Sequence, residues 1–350
     1  MYSKILVIKL DHIGDLILAT PALRALREKY QESQIDILIS EKCKVVLEDS
    51  DLVDNIYTYE SKDFDRGNHI DDAVLTSNIE TISILRRNQY DLSIGLREDL
   101  SNIPIQMMIG AKKNISFNTN SEFSRFLDDS TENVEKKHAS EINFDLLELV
   151  DVERPVHVQP EITCVDEDIR WAKDFIQEVA CGAKIKIAVS IGGGWFLNWW
   201  PVENYSKLIA KLKDQYDDVE IFVVGGVAEL EVEARLRELC ATTYISVVGK
   251  TSIKQLVALY REMDFVITND GGPMHMATAA GTPVIALFGP SPYGRFGPIG
   301  DGNVIISHNF SCSPCPQFVQ GEKPKCIDNM CMKEITVEEV FAEAERKIRG

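Results

Sequence analysis

The chain has 350 residues, room for two domains at roughly 150 residues each, and 45% of them are hydrophobic, enough for two cores. Its formal net charge of −18 argues against a nucleic-acid-binding surface and against strong attraction to anionic lipid, leaving only weak peripheral membrane contact open. No segment approaches the ~18 uninterrupted apolar residues of a membrane span, and Lys4-Ile5-Leu6-Val7-Ile8-Lys9 is too short and too charged for a signal peptide, so the expectation is a cytoplasmic monomer.

In chain order, residues 4–10 predict a strand, Asp15 to Tyr30 a helix, and 35–39 and 53–59 two more strands. The polar stretch 61–72 reads as a loop, 77–88 as a helix, and 91–95 and 114–117 as strands. Residues 118–137, rich in Ser, Asn, Asp and Glu, read as a mobile loop, and 139–149 as a helix. Residues 152–165 contain two prolines and read as a linker. Beyond it come a helix at 166–179 and strands at 185–190, 220–224, 244–248, 264–268, 283–288 and 303–306. Helices fall between most of them, and a terminal helix spans 335–348. Repeated βαβ units imply parallel sheets covered by helices on both faces. The expected fold class is α/β, with two Rossmann-like doubly wound domains, 1–165 and 166–350, facing a cleft. Ligands in such sheets bind just beyond the carboxyl ends of the strands.

The densest signal lies at one such end. The run Asp264-Phe265-Val266-Ile267-Thr268 stops at Asn269-Asp270-Gly271-Gly272, and a helix of small residues follows at once. A helix N-terminus offers unpaired N–H groups and a favourable dipole to an anion. Gly271 and Gly272 let a diphosphate approach the backbone, and His275 falls on the first turn. Two other strand ends carry glycines: Gly192 and Gly193 before Trp199-Trp200-Pro201, and Gly225-Gly226 before Glu229. A carboxylate at 229 suits the two hydroxyls of a ribose, although a surface ion pair is an equal alternative. Three glycine-rich ends in one domain imply a nucleotide with a diphosphate. The chain has neither G-x-G-x-x-G nor G-x-x-x-x-G-K-[ST], against a dehydrogenase or a P-loop enzyme. No D-x-D stands at a strand end, so helix dipoles and side chains are expected to neutralise the diphosphate without a metal.

In the first half, Asp11-His12-Ile13-Gly14-Asp15 follows the opening strand. Asp15, at a helix start, can accept a proton from a substrate hydroxyl; a first-turn helix cap is the plainer alternative. Asp11 is a second carboxylate, and His12 reads as a loop residue. Cys312, Cys315, Cys326 and Cys331 cluster near the C-terminus with C-x-x-C spacing in the first pair. They suggest a structural zinc site or a set of free thiols.

These motifs resemble glycosyltransferase family 9, the bacterial heptosyltransferase family of lipopolysaccharide core assembly. The stretch Ile-Gly-Asp-Leu-Ile-Leu-Ala-Thr-Pro-Ala-Leu-Arg-Ala-Leu at 13–26 is similar to its N-terminal signature. Residues 90–117, Gly249-Lys250-Thr251-Ser252, and Asn269 to Phe288-Gly289-Pro290 are similar to its later ones. The resemblance implies a GT-B fold and an inverting, metal-independent transfer from a nucleotide-sugar, ADP-heptose, to a glycan or glycolipid acceptor. It implies Asp15 as general base, with Asp11, His12, Gly14 and Arg97 on the acceptor side. On the donor side it implies Gly192, Gly193, Asn198, Glu229, Lys250, Asp270, Gly271, Gly272 and His275. Asn198 occupies the position where the family usually has a lysine against the donor phosphate, which leaves Lys250 or Arg295 to substitute. Gly271 replaces the family's usual Thr or Ser.

Overall fold

A computed structural model describes residues 2–60, 72–99, 101–119, 121–132, 137–308, 310–315, 326 and 328–350. The chain divides into two compact units, Met1–Thr163 and Cys164–Gly350.

The first unit is built on six parallel strands: β1 (Lys4–Lys9), β2 (Gln34–Ile39), β3 (Asn55–Thr58), β4 (Leu92–Gly95), β5 (Lys113–Asn118) and β6 (Asp129–Glu132). Their order is β3-β2-β1-β4-β5-β6. Strand β1 is central because five of its six residues are fully apolar or withdrawn from water, as a strand covered on both faces must be. Leu6, Ile8 and Leu10 pack with Leu38, Leu85, Tyr90, Ile105 and Ile109 in one core cluster.

The second unit repeats the plan with β7 (Ile185–Ser190), β8 (Val219–Val224), β9 (Ile245–Ser246), β10 (Phe265–Asn269), β11 (Val284–Phe288) and β12 (Val304–Ser307), ordered β12-β11-β10-β7-β8-β9. All of its pairings are parallel. Its core joins Ile187, Val189, Ile221, Val223, Ile267 and Leu287 to Trp200, Tyr205 and the terminal helix Val337–Arg349. Both sheets have the doubly wound order whose direction of winding reverses once. The crevice at that reversal lies between β1 and β4 in the first unit and between β7 and β10 in the second.

The structure departs from the sequence reading in three places. The helix expected from Asp15 to Tyr30 is two helices, α1 (Ile13–Ile17) and α2 (Thr20–Lys29), because Pro21 falls in the first turn of α2 and cannot continue an earlier helix. The polar stretch 118–137 is not simply a loop: it holds a 3₁₀ turn, Glu122–Phe126, and the edge strand β6. Four polar residues, Asp-Ser-Thr-Glu, can form that strand because an edge needs no apolar face. A helix that periodicity did not suggest, Asn102–Ile109, crosses from β4 to β5. The loop expected at 61–72 lies almost wholly outside the described residues, which resume with a helix at Asp72–Asn88.

Candidate active-site residues

In the first unit the predicted residues gather beyond β1 and β4. His12 is the N-cap of α1, and Asp15 lies in its first turn. The His12 ring nitrogen Nδ1 is 3.7 Å from Asp15 Oδ2, and both side chains are partly open to water. The backbone of Asp11 is fixed by two donors, since the Ser40 hydroxyl and the Cys43 thiol each reach its carbonyl at 3.2 Å. Burial pushes the Cys43 thiol up to about 11, so it stays a neutral donor.

The Asp11 carboxylate stands between two cations. Lys9 Nζ is 2.8 Å from Oδ2, and Arg97 Nε is 3.5 Å from Oδ1. Each cation also ties strand ends together: Lys9 donates to the Leu96 carbonyl at 2.9 Å, and Arg97 donates to the Leu10 carbonyl. Asp99 takes the Arg97 Nε at 2.5 Å. Burial pulls the Lys9 ammonium down, but the carboxylates of Asp11 and Asp15 outweigh it and hold its pKa above the ordinary lysine value. Sequence reading passed over Lys9. Its only signal was a charge closing an otherwise apolar strand in a sheet buried on both faces.

In the second unit the glycine turns after β7 and β10 lie against each other. A Cβ on Gly271 would come 3.7 Å from the Gly194 nitrogen and 3.9 Å from the Gly193 Cα. Gly193 and Gly271 have φ of 152° and 145°, a region that favours glycine. The turn at 271 opens α3 (Gly272–Ala279), where Pro273 stands in the first turn and His275 is buried.

Glu229 closes the turn after β8. Its carboxylate accepts from the Gly226 amide at 2.7 Å and lies so close to Gly192 that a Cβ there would fall 2.1 Å from its Cγ. It is 9% exposed, which removes it from the surface ion pairs that were its alternative. The Asn198 amide donates to the Asp270 carboxylate at 3.0 Å. Thus Gly192, Gly193, Asn198, Glu229, Asp270, Gly271, Gly272 and His275 converge on these adjoining strand ends. Lys250 stands apart, exposed, with its ammonium on the Ser246 carbonyl at 2.9 Å. Arg295 packs over the Phe296 ring in a short helix, Tyr293–Phe296, beyond β11.

Asn269 is the residue that sequence reading undervalued as turn chemistry. Its Nδ2 donates to the Gly192 carbonyl at 3.1 Å, and its Oδ1 accepts from the Trp200 amide at 3.2 Å and the Tyr205 hydroxyl at 2.9 Å. It thereby joins the tips of β7 and β10 to the helix Val202–Gln215.

Cys315 and Cys331 adjoin the end of β11. Cys315 N donates to the Pro290 carbonyl at 2.8 Å, and a Cβ on Gly289 would meet Met332 and Cys331. Burial first, and then the neighbouring Cys312 and Cys326 thiols, push Cys331 up to about 11. The four cysteines are free thiols. Among the described residues no group of three or more His, Cys, Asp or Glu is arranged to hold a metal ion, so the zinc expectation finds no support there. No helix among them is long and apolar enough to cross a membrane.

Residues 80–325 match the profile of glycosyltransferase family 9 (heptosyltransferase). Lipopolysaccharide heptosyltransferase 1 of Campylobacter coli is 24% identical over 301 residues, 83% of this chain and 84% of its own length. Among solved structures, a family 9 glycosyl transferase from Veillonella parvula superposes with a TM-score of 0.85 at 24% identity, over 99% of this chain and 97% of its own. The Escherichia coli heptosyltransferase WaaC with ADP superposes at 0.75 and 17% identity, over 98% and 99%.

Proposed function

The chain belongs to glycosyltransferase family 9 and is a glycosyltransferase of the GT-B fold, and from that premise we propose that it transfers heptose from ADP-heptose to a lipopolysaccharide-core or related glycan acceptor. The first unit receives the acceptor and the second the donor. Asp15 takes the proton of the acceptor hydroxyl as that oxygen attacks the anomeric carbon. The bond from that carbon to the diphosphate breaks on the opposite face, and the sugar configuration inverts.

The leaving diphosphate gains negative charge where α3 begins. The amides of Gly271 and Gly272, the helix dipole and His275 stabilise it there, with no metal ion required. Glu229 receives the ribose hydroxyls. Asp11, His12, Gly14 and Arg97 orient the acceptor. Lys250, whose ammonium donates to the Ser246 carbonyl, keeps further N–H donors for the nucleotide.

The observation that carries the proposal is the pair of glycine turns against each other at the winding reversal of the second sheet, one of them opening α3. Calorimetry with ADP, UDP, GDP and dTDP sugars tests it. Selective binding of an ADP-sugar supports heptose transfer. Preference for another nucleotide keeps a glycosyltransferase but overturns the donor. Turnover in excess EDTA is the companion result, and loss of activity there without unfolding rules out the metal-free step.

A further inference from the structure

The 3₁₀ turn Phe196–Asn198, which follows the glycines at 192–194, has two sides. Leu197 and Asn198 are buried, whereas Phe196 is 59% exposed and the neighbouring Trp195 is partly exposed. The Trp195 and Phe196 rings meet edge to face, with centroids 6.4 Å apart and planes at 77°. A lone apolar side chain on a surface needs no explanation, but an aromatic pair on a fixed turn at the rim of a ligand site does.

The turn is fixed from four directions. Within it, the Asn198 backbone N–H donates to the Trp195 carbonyl at 3.0 Å and the Trp199 N–H to the Phe196 carbonyl at 3.1 Å. Trp199 Nε1 donates to the Gly193 carbonyl at 2.9 Å. Asn198 Nδ2 donates to the Asp270 carboxylate at 3.0 Å and to the Ser291 hydroxyl, beyond β11, at 3.3 Å. Asn329 Nδ2, two residues before Cys331, donates to the carbonyls of Leu197 at 3.2 Å and Trp199 at 3.0 Å. A ring presented on backbone held this way gives up little freedom when a ligand covers it.

Position selects the ligand. Phe196 follows Gly194 by two residues, a reach of at most about 7 Å between their Cα atoms, and a Cβ on Gly271 would lie 3.7 Å from the Gly194 nitrogen. The aromatic pair therefore adjoins the turns assigned to the diphosphate. Glu229, assigned to the ribose, lies on the β8 side of those turns, whereas the Asn198 bonds draw the 3₁₀ turn across the ends of β10 and β11, on the opposite side. A nucleotide-sugar laid along the strand ends from β8 brings its sugar, not its base, to Phe196. A pyranose is hydroxylated at its rim but has a face of C–H groups, and that face gains by covering an aromatic ring. Resting on the donor reading above, we propose that Phe196, with Trp195 at its edge, is a stacking platform for the C–H face of the transferred sugar.

The test is calorimetry with ADP and with ADP-heptose, no acceptor present, on the full chain, on Phe196→Ala and on Phe196→Tyr. Both variants should fold, since the ring lies largely outside the core. Phe196→Ala should bind ADP-heptose roughly 5- to 10-fold more weakly than the unsubstituted chain and ADP equally well. Phe196→Tyr, which keeps the ring, should bind both as the unsubstituted chain does. An alanine variant with full affinity for ADP-heptose overturns the inference and leaves the ring to the acceptor or to water. Loss of ADP and ADP-heptose alike overturns it too, because the ring would then serve the base or the turn itself. So does a tyrosine variant as weak as the alanine one. If the unsubstituted chain binds no ADP-heptose, the donor reading itself fails and this inference with it.

Discussion

The Lys9 ammonium and the Asp11 carboxylate meet at 2.8 Å where β1 ends, both largely withdrawn from water. Lys9→Met leaves that carboxylate beside Arg97, 3.5 Å away, and breaking a buried pair from one side costs about 3 kcal/mol. Chemical denaturation should read a loss of that size near neutral pH. Lys9 titrates above its ordinary 10.5, so its contribution is complete below that pH and fades as pH rises through the folded value. On the alkaline side the stability difference between the two proteins should therefore narrow only above about pH 10.5.

Asp15→Asn keeps the shape of the α1 turn and removes the proposed base. We expect turnover to fall by roughly 10²- to 10⁴-fold while the affinity for ADP-heptose changes less than about twofold, because the residues proposed for the donor lie on the other sheet. Steady-state kinetics and calorimetry together check this. Full turnover in the variant would assign the proton to another group.

Two glycines beside Glu229 make a graded test. A Cβ at Gly192 falls 2.1 Å from the Glu229 Cγ, whereas one at Gly225 falls 3.1 Å from its Cβ. Gly192→Ala must displace the carboxylate and should weaken ADP binding about tenfold or more, on the scale of one lost charged hydrogen bond. Gly225→Ala should cost clearly less. Equal losses would mean that Glu229 does not contact the nucleotide.

Asp91 holds the start of β1. It accepts from the amides of Ser3 at 2.7 Å and Lys4 at 3.1 Å and pairs with Lys112 at 2.7 Å. The Lys112 bond, and then those two amides, lower its pKa from 3.8 to about 2. A depressed carboxylate stabilises above its unfolded value and loses that stabilisation as pH falls through the folded one. Acid unfolding should thus draw on Asp91 between about pH 4 and pH 2. Asp91→Asn should cost about 1 kcal/mol at neutral pH, discounted for its partial exposure, and should flatten that part of the curve.

Much of this was legible in the sequence because strand ends in a buried parallel sheet announce themselves. Apolar runs stop at glycines, and the turns at 192, 225 and 271 could be found without coordinates. The helix at 166–179 carries its acidic first turn and apolar stripe openly and was read to the residue. The edge strand β6 was missed because pairing on one side, not apolar content, makes it a strand. Where the long Lys250 side chain rests, on the Ser246 carbonyl, is not readable from the sequence. Asn198 read as the loss of a lysine. Its three amide contacts appear only once Asp270 and Ser291, 72 and 93 residues away, are brought beside it.

Asn269 carries a consequence for how this pocket can change. One amide serves the Gly192 turn, the Trp200 backbone and the Tyr205 hydroxyl at once. Substitutions at those neighbours therefore draw on a shared bond, and their costs will not sum. A turn grafted here from a distant homologue would arrive without its matching amide, so these glycine turns change only when the Asn269 cluster is replaced as a set, not one residue at a time.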